Sequence, residues 1–312
     1  MASKSLLEDT LGEIRLRLKE SVQRQPAGGI LLSGGLDTSI LALLSPESTG
    51  INIRLNGYGE DVKYARMLAG QLGLKLYTES ISVEEALAKI PEVIRILESF
   101  DPALPNDLAV YLGLNSAKEK GIASVITGDG ADEVFAGYSF MFDLDLRDYL
   151  PRLARKMTFS SNRLGEHLGI GIKQPFLDRD VVDLALSIGP ELKVGKHNGQ
   201  RVGKWVLREA YSDLLPREIV WQTKRPIEMG SGFTRLHDII GAMISDREMA
   251  EAEADIPVDF LSRDHLYYYR IYRQVVGEIP PPLPGEDICP GCGTGMTSRS
   301  THCRICGWST KL

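Results

Sequence analysis

Along the first half of the chain, short apolar runs alternate with stretches of helical spacing. Residues 29–32 are apolar and stop abruptly at Ser33, and similar runs occupy residues 51–55, 74–77 and 123–126. Runs of this length separated by helical segments predict parallel strands joined by crossover helices. Ahead of them, Leu7, Leu11, Ile14 and Leu18 recur at helical spacing behind a Ser5/Glu8 pair that reads as a capping box. Residues 1–26 are therefore expected to form an amphipathic packing helix, with a partner-docking helix as the other reading. Beyond about Phe140 the pattern turns mostly helical. Residues 278–285, EIPPPLPG, read as a stiff proline-rich linker between a main domain at 27–277 and a tail at 286–312. No internal repeat stands out.

Two of the apolar runs end in loops that carry chemistry. After residues 29–32 comes Ser33-Gly34-Gly35-Leu36-Asp37-Thr38-Ser39, in which small residues leave backbone N–H groups open to an anion at the start of a helix. The lysine of the commoner G-x-x-x-x-G-K-[ST] phosphate loop is missing, and Asp37 would repel bare phosphate. Mg²⁺ held by Asp37 would reconcile the two. Taken alone, the same residues also suit an ordinary strand-to-helix turn. The run at 123–126 leads into Thr127-Gly128-Asp129-Gly130-Ala131-Asp132-Glu133, where three acids fall within five positions. Without a basic neighbour such acids repel one another, so a cation is a natural partner; a solvated acidic turn at a helix start is the plainer alternative.

These blocks resemble known motifs. SGGLDTS is similar to the pyrophosphate loop of the ATP pyrophosphatase (PP-loop) superfamily, and TGDGADEVFAGY to a signature of the asparagine synthetase family. KQPFLD at 173–178, GKWVLREA at 203–210, WQTK at 221–224 followed by GSGF at 230–233, and YYYR at 267–270 continue the resemblance in order. The resemblance implies an α/β fold: a parallel-sheet adenine nucleotide α-hydrolase-like domain with a helical C-terminal part. It implies ATP with its triphosphate over Ser33, Gly34, Gly35 and Ser39, and Mg²⁺ shared between Asp37 and Asp132. Leu32, Leu55, Thr127 and Gly128 would hold the adenosine. Lys224, helped by Lys204, would neutralise the departing pyrophosphate, and Asp129 would accept a proton from the attacking amine. Composition alone would make Lys224 a surface lysine.

The implied activity is that of an AMP-forming amide ligase that adenylates a carboxylate, aspartate by default, and passes the acyl group to ammonia. Two departures bear on it. Glutamine-dependent members carry a cysteine directly after the initiator methionine, whereas position 2 is Ala2 and all four cysteines lie near the C-terminus. Ammonia is thus expected to come free or from a separate glutaminase subunit, or to be replaced by another nucleophile. Residues 101–107, DPALPND, also lack the Arg and small hydroxyl residues with which asparagine synthetases recognise aspartate.

The tail carries its own signal. Cys289-Pro290-Gly291-Cys292 and Cys303-Arg304-Ile305-Cys306 are two C-x-x-C knuckles separated by ten residues, each followed by glycine. Four thiolates so spaced predict a tetrahedral structural Zn²⁺ in a zinc ribbon; a redox pair or a disulfide scaffold is the alternative, and His302 beside Cys303 is a fifth candidate ligand that four cysteines do not require. A segment this short needs metal to fold. Ribbons of this kind can hold nucleic acid or protein, so a tRNA-modifying adenylase is the rival reading, and a ribbon that recruits a glutaminase a third. Three basic residues, Arg299, Arg304 and Lys311, face Glu286 and Asp287, which is no basic patch.

At 312 residues, 43% hydrophobic, the chain can bury one large domain with a small appendage, and its net charge of −6 argues against an extensive nucleic-acid surface. No apolar run approaches a membrane span and no signal-peptide core follows Met1, so a cytoplasmic location is expected.

Overall fold

The computed structural model describes residues 2–223, 227–298 and 300–310. Five strands form the central sheet: β1 (Gly29–Leu31), β2 (Thr49–Leu55), β3 (Leu76–Ile81), β4 (Ser124–Ile126) and β5 (Gly171–Lys173), in the order β3-β2-β1-β4-β5. β1 pairs in parallel with β2 and β4, and β4 in parallel with β5. Parallel strands buried on both faces read as continuous apolar runs, as β1 does; β2 interrupts the pattern with Asn52 and Arg54, Asn52 being buried because it serves the turn after β1. β5 is a departure from the expected pattern: the region past Phe140 is mostly helical but also supplies this strand and a hairpin, Gly195–His197 with Gln200–Val202. Strands of three residues are too short to leave a periodic signal.

Up to the second loop the helices are α1 (Ala2–Arg24), α2 (Leu36–Leu44), α3 (Val62–Leu72), α4 (Val83–Leu97), α5 (Leu104–Glu119) and α6 (Ala131–Phe135). Helix α1 begins at Ala2, so Ser5 lies inside it and does not cap it. Capping needs a residue with non-helical backbone, and Ser5 is already within the helix. Ile14, Leu18 and Val22 of this helix are buried in the same core cluster as Ile30, Ile40 and Leu41, with Leu11 packed against it. Helix α4 carries a true capping box, with Ser82 Oγ accepting from the Glu85 N–H and the Glu85 carboxylate accepting from the Ser82 N–H.

Two compact units share the chain. The first comprises Met1–Ile53, Glu60–Glu79 and Gly113–Pro226; the second, Arg54–Gly59, Ser80–Leu112 and Ile227–Leu312. Inside the second, one C-terminal knuckle joins the α4–α5 connection, the Phe100 N–H donating to Ile305 O at 2.7 Å, and the other joins the segment before the helix Arg263–Val275, the Asp259 N–H donating to Gly291 O at 2.7 Å. Phe100 stacks on His265, and Tyr269 and Tyr272 meet its ring edge-on, which gives this small unit an aromatic centre.

Candidate functional site

The strand order reverses direction between β1 and β4, the switch point at which open α/β sheets leave a crevice beyond the strand ends. Both acidic loops leave the sheet there. Past β1, Leu32 N–H still bonds Ile51 O, while Asn52 Nδ2 donates to Leu32 O, holding the chain as it turns. Gly34 adopts φ +86°, and a Cβ there would fall 2.8 Å from the Ala65 nitrogen and 2.9 Å from Asp61 O, so only glycine fits. Gly35 caps α2 with no side-chain hydrogen bond of its own, and Asp37 stands in the first turn, where a carboxylate suits the helix dipole. Ser39 Oγ is fully buried and meets no hydrogen-bond partner among the described residues. A buried hydroxyl left without a partner is costly, and beside uncapped helix N–H groups it fits an anionic ligand.

From the other loop, Asp132 in α6 approaches Asp37, and Lys204 lies between them. Its Nζ is 2.9 and 2.8 Å from Asp37 Oδ1 and Oδ2 and 2.7 Å from Asp132 Oδ1, with the lysine side chain 2% exposed. Burial works against the charged amine, but the carboxylates of Asp132 and Asp37 more than offset it and hold the Lys204 pKa above the usual lysine range. The Lys204 backbone is left-handed, φ 54° and ψ 32°, a conformation costing a non-glycine residue about 1–2 kcal/mol. Asp132 needs its own clearance: a Cβ on Gly137 would fall 1.8 Å from Asp132 Oδ1. Next door, burial and the Asp132 charge raise the Glu133 pKa, while Tyr138 OH donates to Glu133 Oε1 at 2.9 Å.

Asp129 is held separately. Its Oδ2 accepts from Thr127 Oγ1 at 2.7 Å, Ser161 Oγ at 2.6 Å and Gln174 Nε2 at 2.9 Å, which fixes the carboxyl group in one orientation. Gly128 lies against Asp37 and Thr38, and Leu32 is buried where β1 ends. Leu32, Ser33, Gly34, Gly35, Asp37, Ser39, Thr127, Gly128, Asp129, Asp132 and Lys204 all belong to the first unit. Leu55 does not: it closes β2 in the second unit, fully buried, its N–H donating to Ser231 O. Lys224 lies outside the described residues.

Two residues the sequence did not single out tie this site together. Arg208, 3% exposed, donates from Nε to Gly203 O and from Nη1 to Val220 O and to Gln222 O at 3.1 Å. Gln222 Nε2 in turn donates to Gly34 O at 2.9 Å. Both sit inside the recognised blocks, GKWVLREA and WQTK, but nothing in their spacing says which loop they bind.

As hard oxygen donors brought to a single cation, Asp37 and Asp132 fit a shared divalent ion in kind. The cysteine cluster fits a different one. Cys289, Cys292, Cys303 and Cys306 are all buried, and their sulfurs lie within 4.8 Å of one another. Cys289–Cys306 and Cys292–Cys303 are 3.7 and 3.9 Å apart. Metal–sulfur bonds of about 2.3 Å in a tetrahedron give sulfur–sulfur edges of about 3.8 Å. His302 turns away from this role, its Nε2 lying 2.9 Å from Asp101 Oδ2.

A sequence profile described as asparagine synthase matches residues 13–168 and 141–273. The chain belongs to the asparagine synthase family. Asparagine synthetase [glutamine-hydrolyzing] 1 of Arabidopsis thaliana is 28% identical over 273 residues, 78% of this chain and 47% of that protein. Asparagine synthetase B [glutamine-hydrolyzing] of Escherichia coli (strain K12) is 26% identical over 313 residues, 89% and 55% respectively. The chain thus spans about half the length of these relatives. Among solved structures, NMN synthetase from Francisella tularensis is 17% identical with a TM-score of 0.40, covering 89% of this chain and 99% of that one, a likeness too slight to bear on function. No helix among the described residues is long and apolar enough to cross a membrane.

Proposed function

We propose that this asparagine synthase family chain is an ATP-dependent, AMP-forming ligase that joins a carboxylate to ammonia. The observation that carries the reading is the Asp37–Lys204–Asp132 cluster beside the orphaned Ser39 hydroxyl, at the switch point of the sheet. Backbone N–H groups of residues 33–39 and Ser39 Oγ bind the polyphosphate of ATP, and Leu32, Thr127 and Gly128 hold its nucleoside. Asp37 and Asp132 hold Mg²⁺, which supplies charge neutralisation on the phosphate oxygens when bound. An oxygen of the substrate carboxylate attacks the α-phosphorus, the bond to the bridging oxygen of the β-phosphate breaks, and pyrophosphate leaves. Lys204 and Lys224 meet the negative charge that accumulates on it. Ammonia then attacks the acyl carbon, AMP leaves, and Asp129 takes the proton released by the new amide nitrogen.

Aspartate is the substrate favoured by family membership. The four cysteines of this sequence are the four of the knuckles, which leaves no thiol among these 312 residues to hydrolyse glutamine, and ammonia, free or from a glutaminase outside them, is the nitrogen donor this reading takes. Their softness and tetrahedral spacing favour structural Zn²⁺ there. Pyrophosphate release from Mg²⁺-ATP with aspartate and ammonium tests the reading. Dependence on aspartate, and a loss of at least about a hundredfold in Asp37→Ala, are expected. Silence with aspartate and a response to bulk tRNA would replace it with an RNA-modifying adenylase; a requirement for a co-purifying glutaminase would make the chain one subunit of a split enzyme.

A further inference from the structure

Lys204 is placed with unusual care for a lysine. Its backbone is held left-handed at the start of the helix Trp205–Tyr211, and its N–H donates to Phe135 O at 3.2 Å. Just after it, the buried Arg208 fixes the carbonyl of Gly203. The result is an ammonium with essentially no exposure, within 3 Å of three oxygens from two loops. Those loops approach each other at Gly128, and the two carboxylate side chains are themselves only 15% and 10% exposed. Two carboxylates so far from water repel each other strongly unless a cation stands between them. Lys204 is that cation, supplied by the chain.

We propose that Lys204 is a built-in counter-ion that excludes a divalent metal from Asp37 and Asp132 until an incoming polyphosphate draws its ammonium away. This rests on reading residues 33–39 as a polyphosphate site. A divalent ion sharing the two carboxylates needs the same oxygens that the ammonium contacts, and the two cations repel each other across a largely buried gap. Metal alone therefore faces an occupied pair of ligands. A nucleotide changes the balance, because its phosphate oxygens give the ammonium a new partner as the ion binds. The lysine keeps the site stable before substrate arrives and makes metal and nucleotide bind together.

The test measures Mn²⁺ binding to the full chain by the electron paramagnetic resonance of the free ion, with Zn²⁺ already bound to the cysteines and no nucleotide present. Wild type and Lys204→Arg, which keep the positive charge, are expected to bind Mn²⁺ only weakly. Lys204→Met is expected to bind one equivalent at least about a hundredfold more tightly, and the added Asp37→Asn change to abolish the gain. Wild type binding Mn²⁺ as tightly as Lys204→Met overturns the proposal. Should Lys204→Met fail to fold, wild type decides with the uncleavable analogue α,β-methylene-ATP: Mn²⁺ uptake that appears only with the analogue supports the proposal, and equal, Asp37-dependent uptake without it overturns it. If Lys204→Met gains Mn²⁺ while the analogue binds no form of the protein, the polyphosphate reading fails and the competition between ammonium and metal stands.

Discussion

The Asp37–Asp132 site and the cysteine knuckles both gather negative donors around one point, but they satisfy them differently. The carboxylates come from segments far apart in sequence and find their cation inside the chain, at Lys204. The thiols come from one 18-residue stretch and, among the described residues, lie against each other, at 3.7 and 3.9 Å. A donor set with its own counter-ion can hold its shape before any ligand arrives. A set without one is expected to need a metal for its shape.

The sharpest break of that contrast lies in the knuckles. Replacing Cys303 by Ser, or stripping metal with a strong chelator, should release the backbone bonds that each knuckle makes, Gly293 N–H to Cys289 O and Gly307 N–H to Cys303 O, both 2.9 Å. The Phe100 N–H, bonded to Ile305 O, should go with them. Hydrogen exchange is expected to speed at these amides by about a hundredfold or more, with the amides of β1 and β4 unchanged. Unaltered protection after chelation would mean that the thiols pack as an ordinary core and that the two sites do not differ in this way.

A smaller effect is expected at the carboxylate site, where stability depends on the fit between Asp132 and Lys204. Gly137→Ala places a methyl 1.8 Å from Asp132 Oδ1. The carboxylate can relieve the clash only by turning from Lys204, so a loss of about 2–3 kcal/mol in urea unfolding is expected. Gly128→Ala is the gentler control, since its Cβ would meet Asp37 Cβ and Thr38 Cγ2 at 3.3 Å, distances that ask for shifts of a few tenths of an ångström. Equal losses in the two variants would detach the Asp132–Lys204 pair from stability.

This contrast also governs what the sequence could say. The knuckles were legible because everything about them is local: spacing, glycine and thiol chemistry all fall within a few residues of one another. The strand-to-helix loops were legible for the same reason, and the parallel α/β class followed from the apolar runs that feed them. The order β3-β2-β1-β4-β5 was not, because it depends on which three-residue strands pair. Lys204 was recognised as a site residue only through its motif; that its ammonium joins Asp37 to Asp132 is a tertiary fact spanning 167 positions. Arg208 and Gln222 had no signal beyond membership of the same blocks. Ser5 shows the reverse failure, a local signal overridden because the helix continues to Ala2.

The smallest effect concerns a third counter-ion, one that the pH can remove. In the second unit His237 Nδ1 lies 2.7 Å from Asp264 Oδ2, the carboxylate buried and the imidazole partly exposed. The bond to Asp264 raises the His237 pKa against the opposing effect of burial. Burial pushes Asp264 upward, but its bonds from His237 and Ser262 more than offset that and hold it below the usual carboxylate value. A raised histidine stabilises fully below its unfolded value near 6.5 and loses that contribution as the pH rises through its folded value. A lowered carboxylate contributes above its unfolded value and loses its share as the pH falls through its folded one. The pair is therefore most stabilising in mildly acid solution. The difference in unfolding free energy between wild type and His237→Gln should be largest near pH 5, below about 1 kcal/mol given the exposure of the imidazole, and should shrink by pH 9. Lys204, whose charge persists across that range, should give no such slope, and a difference that grew with pH would show that His237 is not the cation opposite Asp264.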